Sequence, residues 1–305
     1  MHDRELLEAL SATATSLLDR HLSMTKEWFP HELVPWGTGR DFDPEVAWDP
    51  MEFPMPAAVR SALFVNLLTE DNLPYYFHSI CGLFSEHEAF GAWSRRWTAE
   101  EHRHSIVIRD WLMVTRAIDP VELERGRMAQ VSTGFTHGGR MEGPCEGLAY
   151  VSLQELATRI SHRNTGRLID DPRGAEIMSR VANDENLHFL FYRDMASAAI
   201  EVAPSEMMLA IARQVKTFEM PGTGITNFAT HAAAIANAGI YDFAVHHDQI
   251  LVPVVLRHWR IEALEGLSPE AEQARDRTVK HIARLGRVGR RMAERREELG
   301  ALATA

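Results

Sequence analysis

Two short motifs each place a carboxylate and an imidazole three residues apart. They are Glu101 with His104, and Glu185 with His188. Residues three apart share one face of an α-helix, so each motif would aim both side chains in one direction. Carboxylate oxygens and imidazole nitrogens are ligands that suit iron. Because a chain with 15 histidines produces one such motif easily by chance, a metal site needs further support from the surrounding sequence.

That support comes from a second glutamate ahead of each motif. Glu70 precedes Glu101 by 31 residues, and Glu155 precedes Glu185 by 30 residues. The chain therefore offers one Glu on a first helix and Glu-x-x-His on the next, and then repeats this order. Four helices that turn these side chains towards a common interior form the di-iron or di-manganese arrangement of ferritin-like bundles.

Charge explains why such a cluster requires cations. Carboxylates that converge in a bundle interior lose their hydration and repel one another, and two divalent irons would balance four of them. The two cysteines, Cys81 and Cys145, lie in no Cys-x-x-Cys pair, which argues against a zinc knuckle, an iron–sulfur cluster and a disulfide framework. Their pattern fits a reducing, cytoplasmic location. Any one of the glutamates taken alone could equally be a surface charge beside a core stripe.

Apolar periodicity predicts an all-α protein, with a ferritin-like di-iron four-helix bundle at its core and flanking helices around it. We expect one helical domain over residues 1–305, with the bundle over about 57–201. Pro74 indicates either a kink one turn after Glu70 or the end of that helix. The four bundle helices are predicted over 57–79, 86–116, 144–168 and 173–201.

The flanking segments have patterns of their own. Residues 1–56 combine an amphipathic helix over 3–21 with an irregular stretch rich in Pro and Gly over 30–56. A connection that contains glycines is predicted over 126–143. Residues 202–305 are expected to form accessory helices, over 204–218, 226–240 and 268–298.

Composition narrows the classes of function. Hydrophobic residues make up 45% of the chain and charged residues 25%, an ordinary globular balance. The net charge of −11 argues against a nucleic-acid partner. No run of eighteen apolar residues occurs, so no transmembrane segment is expected.

Around the motifs, whole strings of sequence resemble the soluble acyl-acyl-carrier-protein desaturases of plant plastids and actinobacteria. The resemblance covers about residues 15–260, and the actinobacterial branch looks most similar. One departure is His102, where the family usually has Asn; on a helix this side chain points away from Glu101 and His104. The matching strings are Thr69–Pro74, Trp97–His104, Gln154–Thr165 and Asp184–His188.

The resemblance implies roles for particular residues. Asp184 would hydrogen-bond the ligand His104, and Thr158 would lie near the oxygen-binding face. Trp28 and Arg103 would belong to the route of electron entry, although Trp28 could equally be a buried aromatic anchor. Two irons would be bound by Glu70, Glu101, His104, Glu155, Glu185 and His188.

It also implies an activity. An O2-dependent desaturase would introduce a cis double bond into an acyl chain held on acyl-carrier protein, with electrons from ferredoxin, and would act as a homodimer. The acyl chain would thread a narrow apolar channel past the irons. Plausible wall residues, which could equally belong to the core, are Met55, Phe64, Leu68, Phe77, Met178 and Phe189.

Other functions remain open at this point. A hydroxylase or an N-oxygenase uses the same ligand set, whereas a radical-generating ribonucleotide reductase subunit needs a tyrosine close to the first motif, and Ser105 to Arg109 include none. A ferritin-like iron store or a metal-free relative would be non-catalytic, but none of the six ligand positions has been lost. The acyl chain length, the position of the double bond and the choice of carrier protein or coenzyme A stay undetermined.

Overall fold

A computed structural model of the protein describes residues 2–134 and 141–304, and over these residues it is helical without any strand. The all-α prediction is confirmed. The helices in chain order are α1 (Asp3–Met24), α2 (Pro30–Leu33), α3 (Ala57–Glu70), α4 (Leu73–Phe84), α5 (Glu88–Thr115), α6 (Pro120–Thr133), α7 (Pro144–Gly166), α8 (Pro172–Val202), α9 (Pro204–Thr217), α10 (Phe228–Asn237), α11 (Phe243–His246) and α12 (Pro269–Thr304).

Helices α3, α5, α8 and α7 form the bundle, each packing against the next in that order and α7 returning to α3. Helices α7 and α8 each begin with a proline at the first position, where the missing N–H of proline removes no hydrogen bond from the helix. Asp171 caps α8 with a side-chain oxygen that accepts from the Gly174 N–H at 2.7 Å. Helix α1 packs on α8 and α5. The single-domain assignment for 1–305 stays a prediction.

The predicted helix over 57–79 is in fact two helices. Helix α3 ends at Glu70 and α4 begins at Leu73, with Pro74 as its second residue. Pro74 has no N–H to donate to the Glu70 carbonyl, and the start of a helix is where this loss costs least. Of the two expectations for Pro74, the end of the helix is right and the kink is wrong. The break places Glu70 at the last position of α3.

Two further segments differ from the prediction. The connection expected over 126–143 begins as helix α6, which Asp119 caps through the N–H groups of Val121 and Glu122; residues 135–140 lie outside the described part. Between α11 and α12 a π-helix runs over His247–His258 and includes Pro253, where no element was predicted. Its wider hydrogen-bonding pattern leaves little trace in apolar periodicity.

Two apolar clusters lie along the bundle, one on either side of the polar motifs. On α5 the first cluster includes Trp93 and Trp97 and the second includes Val107 to Leu112. On α8 the second includes Ile177 to Val181, and the first includes Phe189 and the residues that follow it. Both Glu-x-x-His motifs therefore lie between the clusters. Within the described ranges no helix has both the length and the apolar character needed to cross a bilayer.

Candidate metal centre

The six predicted ligand residues come together inside the bundle. All six are buried, and their exposed fractions run from 0% to 7%. They form two groups of ligand atoms, within each of which the atoms lie no more than 4.8 Å apart. The first group is Glu70, Glu101, His104 and Glu185, and the second is Glu101, Glu155, Glu185 and His188.

The two groups share Glu101 and Glu185, the glutamates of the two Glu-x-x-His motifs. His104 Nδ1 lies 3.5 Å from Glu101 and 3.4 Å from Glu185. His188 Nδ1 lies 2.8 Å from Glu101 and 3.9 Å from Glu185. Each imidazole thus faces both shared carboxylates, so the arrangement has the form of two neighbouring sites joined by two common ligands.

Electrostatics in this cluster are unfavourable for carboxylates alone. Burial and repulsion from neighbouring carboxylates raise the pKa of Glu70 and of Glu155 well above their usual values. Burial also acts to raise the pKa of Glu185, but its contacts with His104 and His188 outweigh this and hold that pKa well below its usual value. Cations in the cluster would remove the repulsion that raises the first two.

Four buried polar atoms indicate where cations fit. Nδ1 of His104, Nδ1 of His188, Oε1 of Glu101 and Oε2 of Glu155 have no hydrogen-bond partner among the described residues. His188 Nδ1 and Glu101 Oε1 lie 2.8 Å apart. Buried polar atoms generally need a partner, and these four all belong to the predicted ligand residues. Four carboxylates and two imidazoles without a thiolate suit divalent iron or manganese.

A hydrogen-bonded carboxylate supports His104 from outside the cluster. Asp184 Oδ2 lies 3.3 Å from His104 Nε2 and accepts from Trp28 Nε1 at 3.0 Å and from Arg103 at 2.5 Å. The Arg103 guanidinium also stacks over the Trp28 ring, 4.1 Å from its centroid. Trp28 is therefore both buried and joined by one hydrogen bond to the partner of His104. This series of hydrogen bonds leads from His104 to Trp28, and Trp28 lines a surface cavity together with Lys26.

His188 has an equivalent support that the sequence analysis missed. Glu100 Oε2 lies 2.9 Å from His188 Nε2 and 2.9 Å from His21 Nε2. Arg96 donates to the other Glu100 oxygen at 2.8 Å. Burial acts to raise the pKa of Glu100, but the bonds from His188 and His21 outweigh it and hold the pKa far below its usual value. The signal was present, because an acid directly precedes both motifs: Glu100 before Glu101, as Asp184 before Glu185.

The remaining carboxylates are also held from outside. Trp97 Nε1 donates to Glu155 at 3.1 Å, and His162 Nε2 lies 3.0 Å from Glu70. The roles of Trp97 and His162 were not predicted, although both belong to the strings that carry the family resemblance. Burial lowers the pKa of His162 to about 4, so its ring is neutral near pH 7.

Thr158 and His102 occupy different surroundings. Thr158 Oγ1 lies 3.1 Å from Glu185 Oε2 and also bonds the carbonyl of Glu155 at 3.0 Å. Its hydroxyl thus stands beside a shared carboxylate of the cluster. His102 is exposed on the outer face of α5, as its helical position predicts.

A cavity adjoins the cluster. Glu70, Glu101 and Glu185 form part of its wall, together with Thr158. The rest of the wall comes from α3, α4, α7 and residues 220–241 and is largely apolar, including Val65, Ile80, Val151, Met220, Phe228 and Ile235. A long apolar molecule in this cavity would lie directly against the shared glutamates.

The predicted wall residues are wrong, because none of them lines this cavity. Phe64, Leu68 and Met178 belong to the second apolar cluster, and Met55 packs against it. Phe189 belongs to the first cluster. Phe64, Leu68, Met178 and Phe189 are buried core residues, which was the other interpretation of their pattern. Met55 and Phe77 are only half-buried, and Phe77 belongs to neither cluster.

Comparison with known proteins places this arrangement in a family. A model of the fatty acid desaturase family matches residues 2–303. DesA1 of Mycobacterium tuberculosis, a provisionally named acyl-[acyl-carrier-protein] desaturase, is 41% identical over 282 residues, which cover 90% of this chain and 83% of the relative. The chloroplastic stearoyl-[acyl-carrier-protein] 9-desaturase of Gossypium hirsutum is 29% identical over 97% of this chain and 78% of its own length.

A solved structure agrees with the sequence relatives. The crystal structure of DesA2 of Mycobacterium tuberculosis, a provisionally named acyl-ACP desaturase, matches with a TM-score of 0.70 at 25% identity, and the match covers 88% of this chain and 99% of that one. The resemblance noted in the sequence is therefore confirmed over nearly the whole chain. This protein belongs to the fatty acid desaturase family and is an enzyme of the oxidoreductase class, related to the mycobacterial and plant desaturases.

Proposed function

We propose that this protein is an O2-dependent di-iron desaturase that introduces a cis double bond into an acyl chain carried on acyl-carrier protein. The observation that carries the proposal is a buried pair of carboxylate–imidazole groups with two shared glutamates, set in the wall of a largely apolar cavity. In the net reaction the acyl chain loses two hydrogen atoms and an external donor supplies two electrons, and these, together with two protons from solvent, reduce O2 to two waters.

The six clustered residues would hold the irons. Glu70 and His104 would bind one iron, Glu155 and His188 the other, and Glu101 and Glu185 both. When bound, the iron pair supplies the oxidation of an unactivated methylene, which no amino-acid side chain performs. The protein orients the ligands: Asp184 and Glu100 each accept a hydrogen bond from the Nε2 atom of one imidazole and leave its Nδ1 atom free to bind metal.

Other residues would position the substrate and protons. The apolar wall of the cavity excludes water from the reacting methylenes and holds them beside Glu101 and Glu185. Thr158 lines the same cavity, and its hydroxyl oxygen lies 3.1 Å from Glu185 Oε2, so that rotation of the hydroxyl would direct its proton either to Glu185 or to the backbone carbonyl of Glu155. Trp28 and Arg103 connect Asp184 towards the surface and would mark the side from which electrons arrive.

Support for the carrier protein comes from the relatives, since those in Mycobacterium and Gossypium are named for acyl-[acyl-carrier-protein] substrates. Ferredoxin as the electron donor, a homodimeric assembly and a cytoplasmic location are further parts of this proposal, and they follow from the family resemblance in the sequence.

The first experiment measures iron and product in the same preparation. Protein purified from iron-replete cells is expected to contain about two irons per chain. With O2, a reduced ferredoxin and acyl-carrier protein loaded with a saturated acyl chain, it should yield a monounsaturated chain, detected by mass spectrometry after hydrolysis of the thioester. A Glu101→Gln variant made in parallel is the control for iron held elsewhere.

The same experiment separates the alternatives. A hydroxylated chain instead of an alkene would identify a hydroxylase that uses the same ligands. Absence of iron, with failure to take up ferrous ion anaerobically, would contradict the proposal and indicate a non-catalytic member of the family.

A further inference from the structure

His21 is a buried histidine outside the metal cluster, in the last turn of helix α1. Its side chain is 2% exposed, and its Nε2 atom contacts Glu100 Oε2 at 2.9 Å across 79 residues of sequence. The same oxygen lies 2.9 Å from Nε2 of His188. Both rings also make edge contacts with Trp93, which lies 5.0 Å from His21 and 6.0 Å from His188. His21 and His188 therefore share one acceptor atom and one aromatic neighbour.

The sharing of Glu100 Oε2 determines which ring nitrogens carry hydrogen. A carboxylate oxygen only accepts, so both imidazoles must present Nε2–H to it. A neutral His188 then carries its lone pair on Nδ1, which faces Glu101 and Glu155. That is the form in which an imidazole binds a metal. Glu100 thus sets the tautomer of His188, and it does so only while its own side chain is held in place.

Three donors hold Glu100, and His21 is the one that comes from outside the bundle. Arg96 lies on the same helix, four residues before Glu100, and binds the other oxygen. His21 binds the oxygen that His188 uses. Without His21, Oε2 would keep His188 as its single donor, and the carboxylate would be free to turn about its last bonds towards Arg96.

The other ring nitrogen of His21 is in an unfavourable environment. This Nδ1 atom is buried and has no hydrogen-bond partner among the described residues, which is unfavourable. An apolar side chain of similar size would pack against Trp93 without that cost. The favourable contribution of His21 must therefore come from its bond to Glu100.

We propose that His21 is a positioning residue for one half of the metal centre: through Glu100 it fixes the orientation and tautomer of His188. The inference rests on the proposed metal-binding function. It adds that the docking of α1 on the bundle controls the geometry around one metal ion and leaves the ion next to His104 unaffected.

A pair of substitutions at position 21 tests this. His21→Gln can place an amide N–H where Nε2 was, whereas His21→Asn is one bond too short to reach Glu100. Cobalt(II) serves as the probe, with its two affinities measured by calorimetric titration and its ligand field by the visible d–d absorption. We expect His21→Asn to lower the affinity for one of the two cobalt ions about tenfold. This is the lower end of the effect seen when a hydrogen-bond partner of a metal ligand is removed. His21→Gln should bind both ions as the unmodified protein does.

A control on the same helix separates positioning from packing. Leu17 is buried one turn before His21 and is apolar, so Leu17→Ala should lower the melting temperature without changing either cobalt affinity. If Leu17→Ala weakens the same ion, the effect of His21 belongs to helix packing and the inference is overturned. Equal affinities in the Asn and Gln variants would also overturn it.

Cobalt binding by the unmodified protein tests the proposed metal-binding function, and the comparison of the two variants tests the role of His21. Two cobalt ions bound by the unmodified protein, with no difference between the Asn and Gln variants, would contradict the role of His21 alone. If the unmodified protein binds no cobalt, the proposed metal-binding function fails, and the role of His21 is overturned with it.

Discussion

The two halves of the candidate metal centre have the same types of ligand, but the side chains that support those ligands are attached to the fold in different ways. In each half an acid that directly precedes one Glu-x-x-His motif contacts Nε2 of the histidine in the other motif. Each acid also contacts an arginine of α5 and a ring N–H from the N-terminal segment. For Asp184 these are Arg103 and Trp28; the Glu100 half uses Arg96 and His21.

The difference lies in how firmly each support is tied to the fold. Arg103 joins α5 to α8, is 19% exposed and stacks on Trp28. Arg96 joins two residues of the same helix and is 37% exposed. The His104 half is thus braced across helices by Arg103 and Trp28, whereas the His188 half depends on a histidine of α1. A repeated sequence pattern can therefore produce equal ligands with unequal supports.

Substitution of the shared glutamates should have the largest effect and should be the same in both halves. Glu101→Gln and Glu185→Gln each remove a carboxylate that both groups use. We expect bound iron to fall below one per chain and desaturation to drop by more than about a hundredfold, beyond the effect of outer partners. Iron analysis and the acyl-carrier-protein assay measure this. Full activity in either variant would contradict the ligand assignment.

Substitution of the preceding acids should have the next largest effect and tests the likeness of the halves. Asp184→Asn and Glu100→Gln keep the shape of the side chain but lose the charge that holds the imidazole. Each should reduce activity or metal affinity by about 10–100-fold. The catalytic rate and the cobalt affinities of the two variants are to be compared side by side. A loss in only one of them would show that the other acid is a structural residue.

Replacement of the arginines by lysine should reveal the difference between the halves. Lysine cannot reproduce the planar, stacked geometry of Arg103 over Trp28, so Arg103→Lys should cost about tenfold in activity. Arg96→Lys should cost at most about threefold, because Arg96 is 37% exposed, pairs with Glu100 within one helix and does not stack on a ring, so that lysine can keep the charge contact. Equal losses of kcat/KM in the two variants would show that the His104 and His188 halves are supported equally firmly.

The smallest effect is expected at His102, where the family resemblance predicts Asn. The side chain is exposed on α5, so His102→Asn should change activity by less than about twofold and stability by less than about 0.5 kcal/mol. Kinetics and thermal unfolding test this. A large loss of activity with unchanged stability would show that this face of α5 contacts a partner.

Much of this centre was predictable because helical spacing determines which side chains share a face. The two Glu-x-x-His motifs follow from this spacing, and Glu70 and Glu155 follow from the repeated order of the four helices, whereas Asp184 and Thr158 were predicted from the family resemblance alone. His21 and Trp97 were not found, since their contacts with Glu100 and Glu155 span 79 and 58 residues and no spacing rule encodes them.

Apolar periodicity did not predict the cavity wall, the π-helix over His247–His258 or the break in the helix predicted over 57–79. An apolar residue on a bundle helix faces either a cavity or a core, and only the packing of neighbours such as residues 220–241 decides between them. The π-helix over His247–His258 carries a hydrogen-bonding pattern that apolar periodicity does not report. At Pro74 the sequence offered a choice between a kink and an end, and the hydrogen bonds around Asp71 and Asn72 decided for the end.

The interruption between α3 and α4 has a mechanical consequence. Glu70 ends α3, and after two intervening residues α4 begins, whose Tyr76, Ser79 and Ile80 line the cavity. Glu70 lines the same cavity. The short connection therefore ties one carboxylate of the cluster to a wall of the cavity through only two residues of backbone, so the position of α4 and the position of that carboxylate are linked along the chain.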